Sequence, residues 1–197
     1  MRPALVLLAV VALCPPALAG PPTRAALRKA FEANRPTLVE VVGPRRSGTG
    51  VMVGTSGQVL TSVEFVGLEK AKIRRDGQES AAKVRLANAA LKVALVELEP
   101  PGEYPATAVR LTEPAEGDWL VAILRSRKGE LSPVLAQVAR ASSERSPFLE
   151  LDRPLAAGTP LFDAQGKLVA LSVGGARRAR ALPIPALKVE LAAETKP

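Results

Sequence analysis

The 197-residue chain contains no histidine, one cysteine and only 3% aromatic residues. The absence of histidine removes the commonest general base and the commonest metal ligand of proteins. The single cysteine, Cys14, lies in an apolar N-terminal segment that we interpret as a leader. The mature chain is then expected to have no thiol nucleophile, no disulfide and no thiolate metal site. The sequence predicts neither a cofactor nor a metal.

The charge balance also narrows the possible functions. The chain has 27 Lys and Arg against 19 Asp and Glu, a formal net charge of +8, and the excess is spread over several short runs. A nucleic-acid site would need basic patches interleaved with stacking aromatic side chains, which are scarce here. We therefore expect no nucleic-acid binding, and a solvated basic surface suited to acidic partners.

The N-terminus has the pattern of an export signal. An apolar run at 4–13 is followed by Ala-Leu-Ala at 17–19, a small-x-small cleavage pattern. Cleavage near Ala19 predicts a periplasmic or secreted protein. A lipid-anchored form cleaved before Cys14 is disfavoured, because Leu13 occupies a position that needs a small residue. No later apolar run approaches the ~18 residues of a membrane helix, so no transmembrane segment is expected in the mature chain.

The remaining sequence predicts one helix, twelve strands and a closing helix. An amphipathic helix over 23–36 stops at Pro36, and the periodicity then becomes that of strands. Six strands are predicted in each half of the chain, separated by a linker rich in proline and glycine. The predicted strands are 37–43, 48–54, 58–62, 70–75, 79–87 and 93–98, then 118–126, 130–141, 147–151, 159–164, 167–173 and 178–184.

This count suggests two small β-barrels packed side by side. The corresponding division is a signal peptide (1–19), an N-terminal helical segment (20–36), a first β-barrel (37–100), a linker (101–117), and a second β-barrel with a C-terminal helix (118–197). The C-terminal helix is predicted over 185–194, with proline in its first turn.

Five segments, in order, resemble trypsin-like serine proteases of the HtrA branch. They are SGTGVMVGTSGQVLTS (47–62), LKVALVEL (91–98), EGDWLVAI (116–123), TPLFDAQGKLVAL (159–171) and ALPIPAL (181–187). The resemblance implies an all-β fold of two six-stranded antiparallel Greek-key barrels, trypsin-like, with a short N-terminal helix and a C-terminal helix. It also implies where a catalytic triad should stand.

All three triad positions implied by the resemblance are substituted. The family's histidine follows its Leu-Thr pair by three residues, and Glu64 stands there. Its aspartate precedes a strand alanine, here Ala94, by two residues, and Lys92 stands there. Its nucleophilic serine lies three residues before the Pro160 position, where this chain has Ala157. Because the mechanism needs a hydroxyl, an imidazole and a carboxylate, the resemblance predicts a pseudoprotease.

Further expectations follow from these substitutions. Loss of the working triad costs on the order of 10⁶ in turnover in a serine protease of another fold. Leu155 replaces the glycine that lets the nucleophile loop turn, and its side chain disfavours positive φ, which puts the oxyanion hole in doubt. Glu64 and Lys92 are expected to form a salt bridge across the former cleft. The alternative is that both side chains point into solvent.

Two functions remain open at this point. The first is a non-catalytic binding or scaffolding protein that accepts an extended peptide or protein, with a preference for acidic side chains, beside Gly174, Gly175 and Arg177. The second is an active serine-type endopeptidase with a non-standard nucleophile, for which Thr159 is the first candidate. The sequence names no partner and leaves the oligomeric state open.

Overall fold

The computed structural model describes residues 20–100, 102–126, 128–174 and 179–187. These residues form a helix followed by two closed β-barrels. The predicted leader, Gly175, Arg177 and residues 188–194 of the predicted C-terminal helix lie outside the described residues. Where that helix should begin, the chain forms a 3₁₀ turn over Ile184–Leu187. None of the helices in the described ranges is long and apolar enough to cross a membrane.

Helix α1 spans Arg24–Asn34 and packs on the second barrel. It begins at Thr23, whose hydroxyl oxygen accepts a hydrogen bond from the Ala26 amide at 3.2 Å, the usual N-cap arrangement. Ala30 is fully buried and Phe31 partly buried against the core. The helix ends just before Pro36, which continues the chain as a 3₁₀ turn because it cannot donate the next helical hydrogen bond.

The first barrel contains six antiparallel strands. They are β1 (Leu38–Val42), β2 (Ser47–Met52), β3 (Gln58–Ser62), β4 (Lys70–Arg75), β5 (Gln78–Asn88) and β6 (Val93–Glu99). They close in the order β1-β2-β3-β6-β5-β4. The β4–β5 hairpin turns at Asp76 and Gly77, which both have positive φ, as a two-residue hairpin loop of the mirror-image type requires.

The second barrel repeats this arrangement. Its strands are β7 (Trp119–Arg125), β8 (Leu131–Arg140), β9 (Leu149–Leu151), β10 (Pro160–Phe162), β11 (Leu168–Ser172) and β12 (Arg180–Pro183). They close as β7-β8-β9-β12-β11-β10, the order of the first barrel. The predicted all-β fold of two six-stranded antiparallel barrels with a short N-terminal helix is confirmed.

Burial along the strands explains why these sequences adopt them. In β4, Ala71 and Ile73 are buried whereas Lys70 and Lys72 are exposed, the period-2 alternation of a strand with one wet face. In β11 all five residues are buried, so its sequence LVALS is almost continuously apolar. The buried positions show which side of each strand faces a core. The connections between strands form the junction between the barrels.

A buried asparagine fastens the helix to the rest of the molecule. Asn34 is 3% exposed. Its amide nitrogen donates to the carbonyls of Ala30 (3.0 Å) and Gly166 (2.8 Å), and its amide oxygen accepts from the Thr107 hydroxyl (2.6 Å). Helix, linker and β10–β11 turn are therefore joined at one point, and every polar atom of the side chain has a partner.

Candidate functional site

The three positions at which the resemblance leads us to expect a triad, Glu64, Lys92 and Ala157, lie at the junction between the barrels. Glu64 belongs to a short 3₁₀ turn (Val63–Phe65) after β3, and Lys92 immediately precedes β6. The two segments are adjacent, because the Val63 amide donates to the Lys92 carbonyl at 3.3 Å. Ala157 comes from the loop before β10 in the second barrel and packs against the core of the first. Each barrel thus contributes residues to one side of this site.

The predicted salt bridge between Glu64 and Lys92 is wrong. The Glu64 carboxylate instead pairs with the Arg46 guanidinium at 2.6 Å, and the ordered ion pairs of the described ranges include none for Lys92. The β1–β2 connection carries Arg46 to Glu64, and the Ser62 hydroxyl oxygen, which accepts from the Glu64 amide at 3.3 Å, holds the turn. Lys92 is exposed and sits at φ 59°, in a left-handed turn that leads into β6.

Phe65 fills the space beneath these residues. Its side chain is 4% exposed, and the Arg46 guanidinium lies 6.0 Å from its ring centroid, within cation–π range. A Cβ added at Gly48 would lie 2.0 Å from the Phe65 ring, and one at Gly158 would lie 2.9 Å from it. Both glycines therefore supply room for the ring. Phe65 is seated between β2 and the Ala157 loop.

The loop carrying Ala157 is held against β11 by backbone hydrogen bonds. The Gly158 amide donates to the Ser172 carbonyl and the Ser172 amide to the Thr159 carbonyl, both at 2.8 Å. The Ser172 hydroxyl donates to the Leu155 carbonyl at 3.3 Å. Gly158 has φ 76°, which explains its glycine. The loop is thus a turn held by several hydrogen bonds, and it carries the methyl group of Ala157.

Leu155 occupies a conformation unlike that expected of a glycine. Among the non-glycine residues of the described segments, positive φ is restricted to Asp76 and Lys92, so Leu155 is not left-handed. Its side chain is 8% exposed and packs in the core of the second barrel. The loop at Leu155 is thus anchored by this packed side chain.

A cavity of about 560 Å³ lies beside this loop. It is lined on one side by β2 residues and on the other by residues 154–157, with Phe65 at its floor and Arg125 and Glu40 at its rim. No lysine or hydroxyl–base pair is present among the described residues lining it, although Ser47, Thr49, Ser126 and Thr159 contribute hydroxyls. The arrangement can accommodate a ligand, but it offers no activated nucleophile.

The residues proposed for peptide binding are described only in part. Gly174 follows β11 with φ 69°, and a Cβ added there would lie 3.2 Å from the Ala157 Cβ. Gly174 thus lies next to Ala157. Arg180, on β12, lies 5.9 Å from the ring centroid of Phe148. Gly175 and Arg177 lie outside the described residues.

Three charged groups of the described residues, Arg74, Glu79 and Arg125, have a shifted pKa. A hydrogen bond from Arg74 lowers the pKa of the Glu79 carboxyl below its ordinary value of 4.5, and the same bond raises the pKa of Arg74. Burial lowers the pKa of the Arg125 guanidinium, because desolvation penalises the charged form. Within the described ranges no cluster of His, Cys, Asp or Glu is close enough to hold a metal.

Sequence reasoning missed Phe65, Arg46 and Arg125. Phe65 is one of only four phenylalanines and directly follows Glu64, so its rarity was a usable signal. Arg46 and Arg125 looked like members of ordinary surface runs. Their positions depend on how loops from the two barrels meet, which no local pattern encodes.

Many solved structures are similar to this chain in fold. Three of them illustrate this similarity. One is the serine endoprotease from Yersinia pestis (19% identity, TM-score 0.72, covering 85% of this chain and 65% of that chain). Another is the Rv3671c protease of M. tuberculosis in its inactive form (16%, 0.72, 90% and 98%). The third is the HtrA-type protease AlgW with a tripeptide (18%, 0.71, 85% and 62%).

At these identities the similarity concerns the fold. The chain spans 65% of the Yersinia protein and 62% of AlgW, so it corresponds to only part of each. No curated protein is significantly similar to it in sequence. A family profile described as a trypsin-like peptidase domain matches residues 48–171, which run from β2 into β11 and include Glu64, Lys92 and Ala157. The chain belongs to the family of trypsin-like peptidase domains.

Proposed function

We propose that this chain is an exported, catalytically inactive member of the trypsin-like peptidase family that binds an extended peptide or protein. The observation that carries the proposal is the composition of the barrel junction. Glu64, Lys92 and Ala157 occupy the three triad positions, and none of them supplies an imidazole or an attacking hydroxyl. The packing of Ala157 against the core cluster that contains Phe65 supports the proposal further, because this loop residue then has a structural role.

The burial of hydroxyl groups argues against an active enzyme with another nucleophile. Thr159 is 2% exposed, Ser172 1% and Ser62 0%. A nucleophile must reach a scissile carbonyl from a near-attack position, which a buried side chain cannot do without opening the fold. Ser47 and Ser126 are exposed, but no lysine lines the described walls of the cavity that they share.

Peptide binding requires an accessible backbone edge rather than a triad. The proposal locates this edge at Gly174, where the absence of a side chain permits close approach of another chain. The net charge of +8 favours acidic segments. Export rests on the N-terminal sequence alone, and N-terminal sequencing of the protein recovered from outside the cytoplasm tests it: cleavage near Ala19 is the expected result.

The test of function uses casein, an unstructured acidic protein, as substrate and as ligand. The natural mature chain should bind casein without cutting it, as measured by calorimetry and by gel electrophoresis after long incubation. Gly174→Ala should weaken binding, because its Cβ would narrow the gap to Ala157. Gly77→Ala is the matched control, since Gly77 also has positive φ but an added Cβ meets nothing within 4 Å. Cleavage by the natural chain would overturn the proposal, as would absence of binding.

A restored variant checks the register of the three positions. It carries Glu64→His, Lys92→Asp and Ala157→Ser. Aspartate tolerates the left-handed conformation of position 92 better than most residues. Cleavage of casein by the restored variant alone places all three positions correctly and leaves the natural chain a binder.

A further inference from the structure

A cavity of about 650 Å³ lies on the molecule where helix α1 and the two barrels meet. We call it the arginine cavity. The charged residues of its wall are Arg35, Arg74, Arg75 and Arg125, with Asp76 and Glu130. They come from four separate places: the end of α1, the β4–β5 hairpin, the end of β7 and the start of β8. Positive charges outnumber negative charges by two on this wall.

The arginines differ in whether a carboxylate already neutralises them. Arg74 forms ion pairs with Glu40 (3.0 Å) and Glu79, and Arg75 pairs with Asp76 at 3.4 Å. Within the described parts of the chain, neither Arg35 nor Arg125 has a carboxylate within ion-pair distance. The wall therefore offers two uncompensated guanidinium groups.

Arg125 is the less ordinary of the two because it is partly buried. Its Nη1 donates to the Gly129 carbonyl at 3.2 Å, and its Nε is buried with no acceptor among the described residues. The negative charge that acts on Arg125 is the carboxylate of Glu40, which already pairs with Arg74. A buried cation without a counter-charge and with an unused donor is costly to maintain.

We propose that the arginine cavity binds a small multivalent oxyanion, a phosphate or polycarboxylate, between Arg35 and Arg125. The guanidinium fork matches the oxygens of carboxylates and phosphates in a bidentate way. A multivalent anion suits a wall with two guanidinium groups, those of Arg35 and Arg125, that form no ion pair among the described residues. This site is separate from the Gly174 edge and does not depend on peptide binding.

Calorimetry on the full mature chain tests the site with three probes: inorganic phosphate, pyrophosphate and citrate, each at constant ionic strength set with sodium chloride. At least one probe should bind with one-to-one stoichiometry. Tighter binding of pyrophosphate or of citrate identifies the phosphate or the polycarboxylate source. If all three give no more heat or thermal stabilisation than chloride alone, the proposal fails.

Variants then locate the site. Arg125→Gln should weaken binding at least tenfold, and Arg125→Lys should be intermediate because lysine keeps the charge but loses the fork. Glu130→Gln should tighten binding, because it removes a lining carboxylate. Arg145→Gln, on an exposed turn away from the cavity, removes the same charge and should leave affinity unchanged.

Exposed Arg35 provides an independent test if Arg125→Gln does not fold. Arg35→Gln should fold, because the residue lies at the surface, and should weaken binding several-fold. Equal affinity in Arg35→Gln and in the natural chain contradicts the site. So does an equal loss of affinity in Arg145→Gln, since that result indicates nonspecific attraction to a basic surface.

Discussion

Replacing Gly48 by alanine should destabilise the protein through one contact, the contact with Phe65. The added Cβ would lie 2.0 Å from Cε2 and 2.2 Å from Cζ of the ring, well inside van der Waals contact. The ring is 4% exposed and packed in the first barrel, so it cannot move away without disturbing its neighbours. Overpacking of this kind costs about 1–3 kcal/mol of unfolding free energy.

A double-mutant cycle isolates the contact. Phe65→Ala alone should cost about 3–5 kcal/mol, because it leaves a cavity in the core. In that background Gly48→Ala meets no ring, and its cost should disappear; replacing a strand glycine by alanine even gains roughly 0.5–1 kcal/mol. The two changes should therefore be coupled by about 1.5–4 kcal/mol, the cost in the natural chain plus the gain in the Phe65→Ala background. Urea unfolding followed by the fluorescence of Trp119, the single tryptophan, measures all four proteins.

A matched control removes another phenylalanine. Phe31 lies on helix α1, packed against a different core cluster, so Gly48→Ala should cost the same in a Phe31→Ala background as in the natural chain. Where Phe65→Ala prevents folding, Phe65→Leu replaces it, with a smaller but still positive coupling. Additive effects of Gly48→Ala and the Phe65 substitution, within about 0.5 kcal/mol, would refute the placement of the ring on β2.

Three further predictions concern stability. Asn34→Ala should lower the unfolding free energy by about 2–4 kcal/mol, because buried partners in the linker and the β10–β11 turn lose their hydrogen bonds; a loss below about 1 kcal/mol in urea contradicts this. Glu79→Gln should destabilise the protein at neutral pH. The pKa of Glu79 is lowered by Arg74, so its contribution is present above 4.5 and disappears as pH falls through the lowered pKa; a difference that persists in acid is inconsistent with this sign. Glu64→Gln should shift stability by less than about 1 kcal/mol, because its ion pair with Arg46 is solvent-exposed; a larger shift of the urea midpoint indicates a stronger role.

The barrels were predictable because their information is local. Strand alternation, as at Ala71 and Ile73 in β4, and turn residues, as at Asp76 and Gly77, operate over a few neighbouring positions. All twelve predicted strands are present, and no observed strand end differs from the predicted one by more than two residues. The count of six strands in each half suggested two barrels, and the family resemblance added the trypsin-like strand order, since local patterns do not specify which strands pair.

The electrostatic partners at the site were not predictable in the same way. The expected pairing of Glu64 with Lys92 assumed that side chains on adjacent segments face each other. The structure instead brings Arg46 from the β1–β2 connection to Glu64. A long, flexible basic side chain can reach several carboxylates. Which one it pairs with depends on the loop geometry, and short motifs do not specify that geometry.

By itself, the sequence determined that no imidazole is available in any fold, because the chain contains no histidine. It also determined the strands, through their alternation and turns. The tertiary structure decided the surroundings of Glu64, Lys92 and Ala157. It placed Phe65 between Gly48 and Gly158, packed Ala157 against the core of the first barrel, and left the Nε of Arg125 buried without a hydrogen-bond partner among the described residues. These features depend on contacts between residues far apart in the chain, which form only when both barrels are packed together.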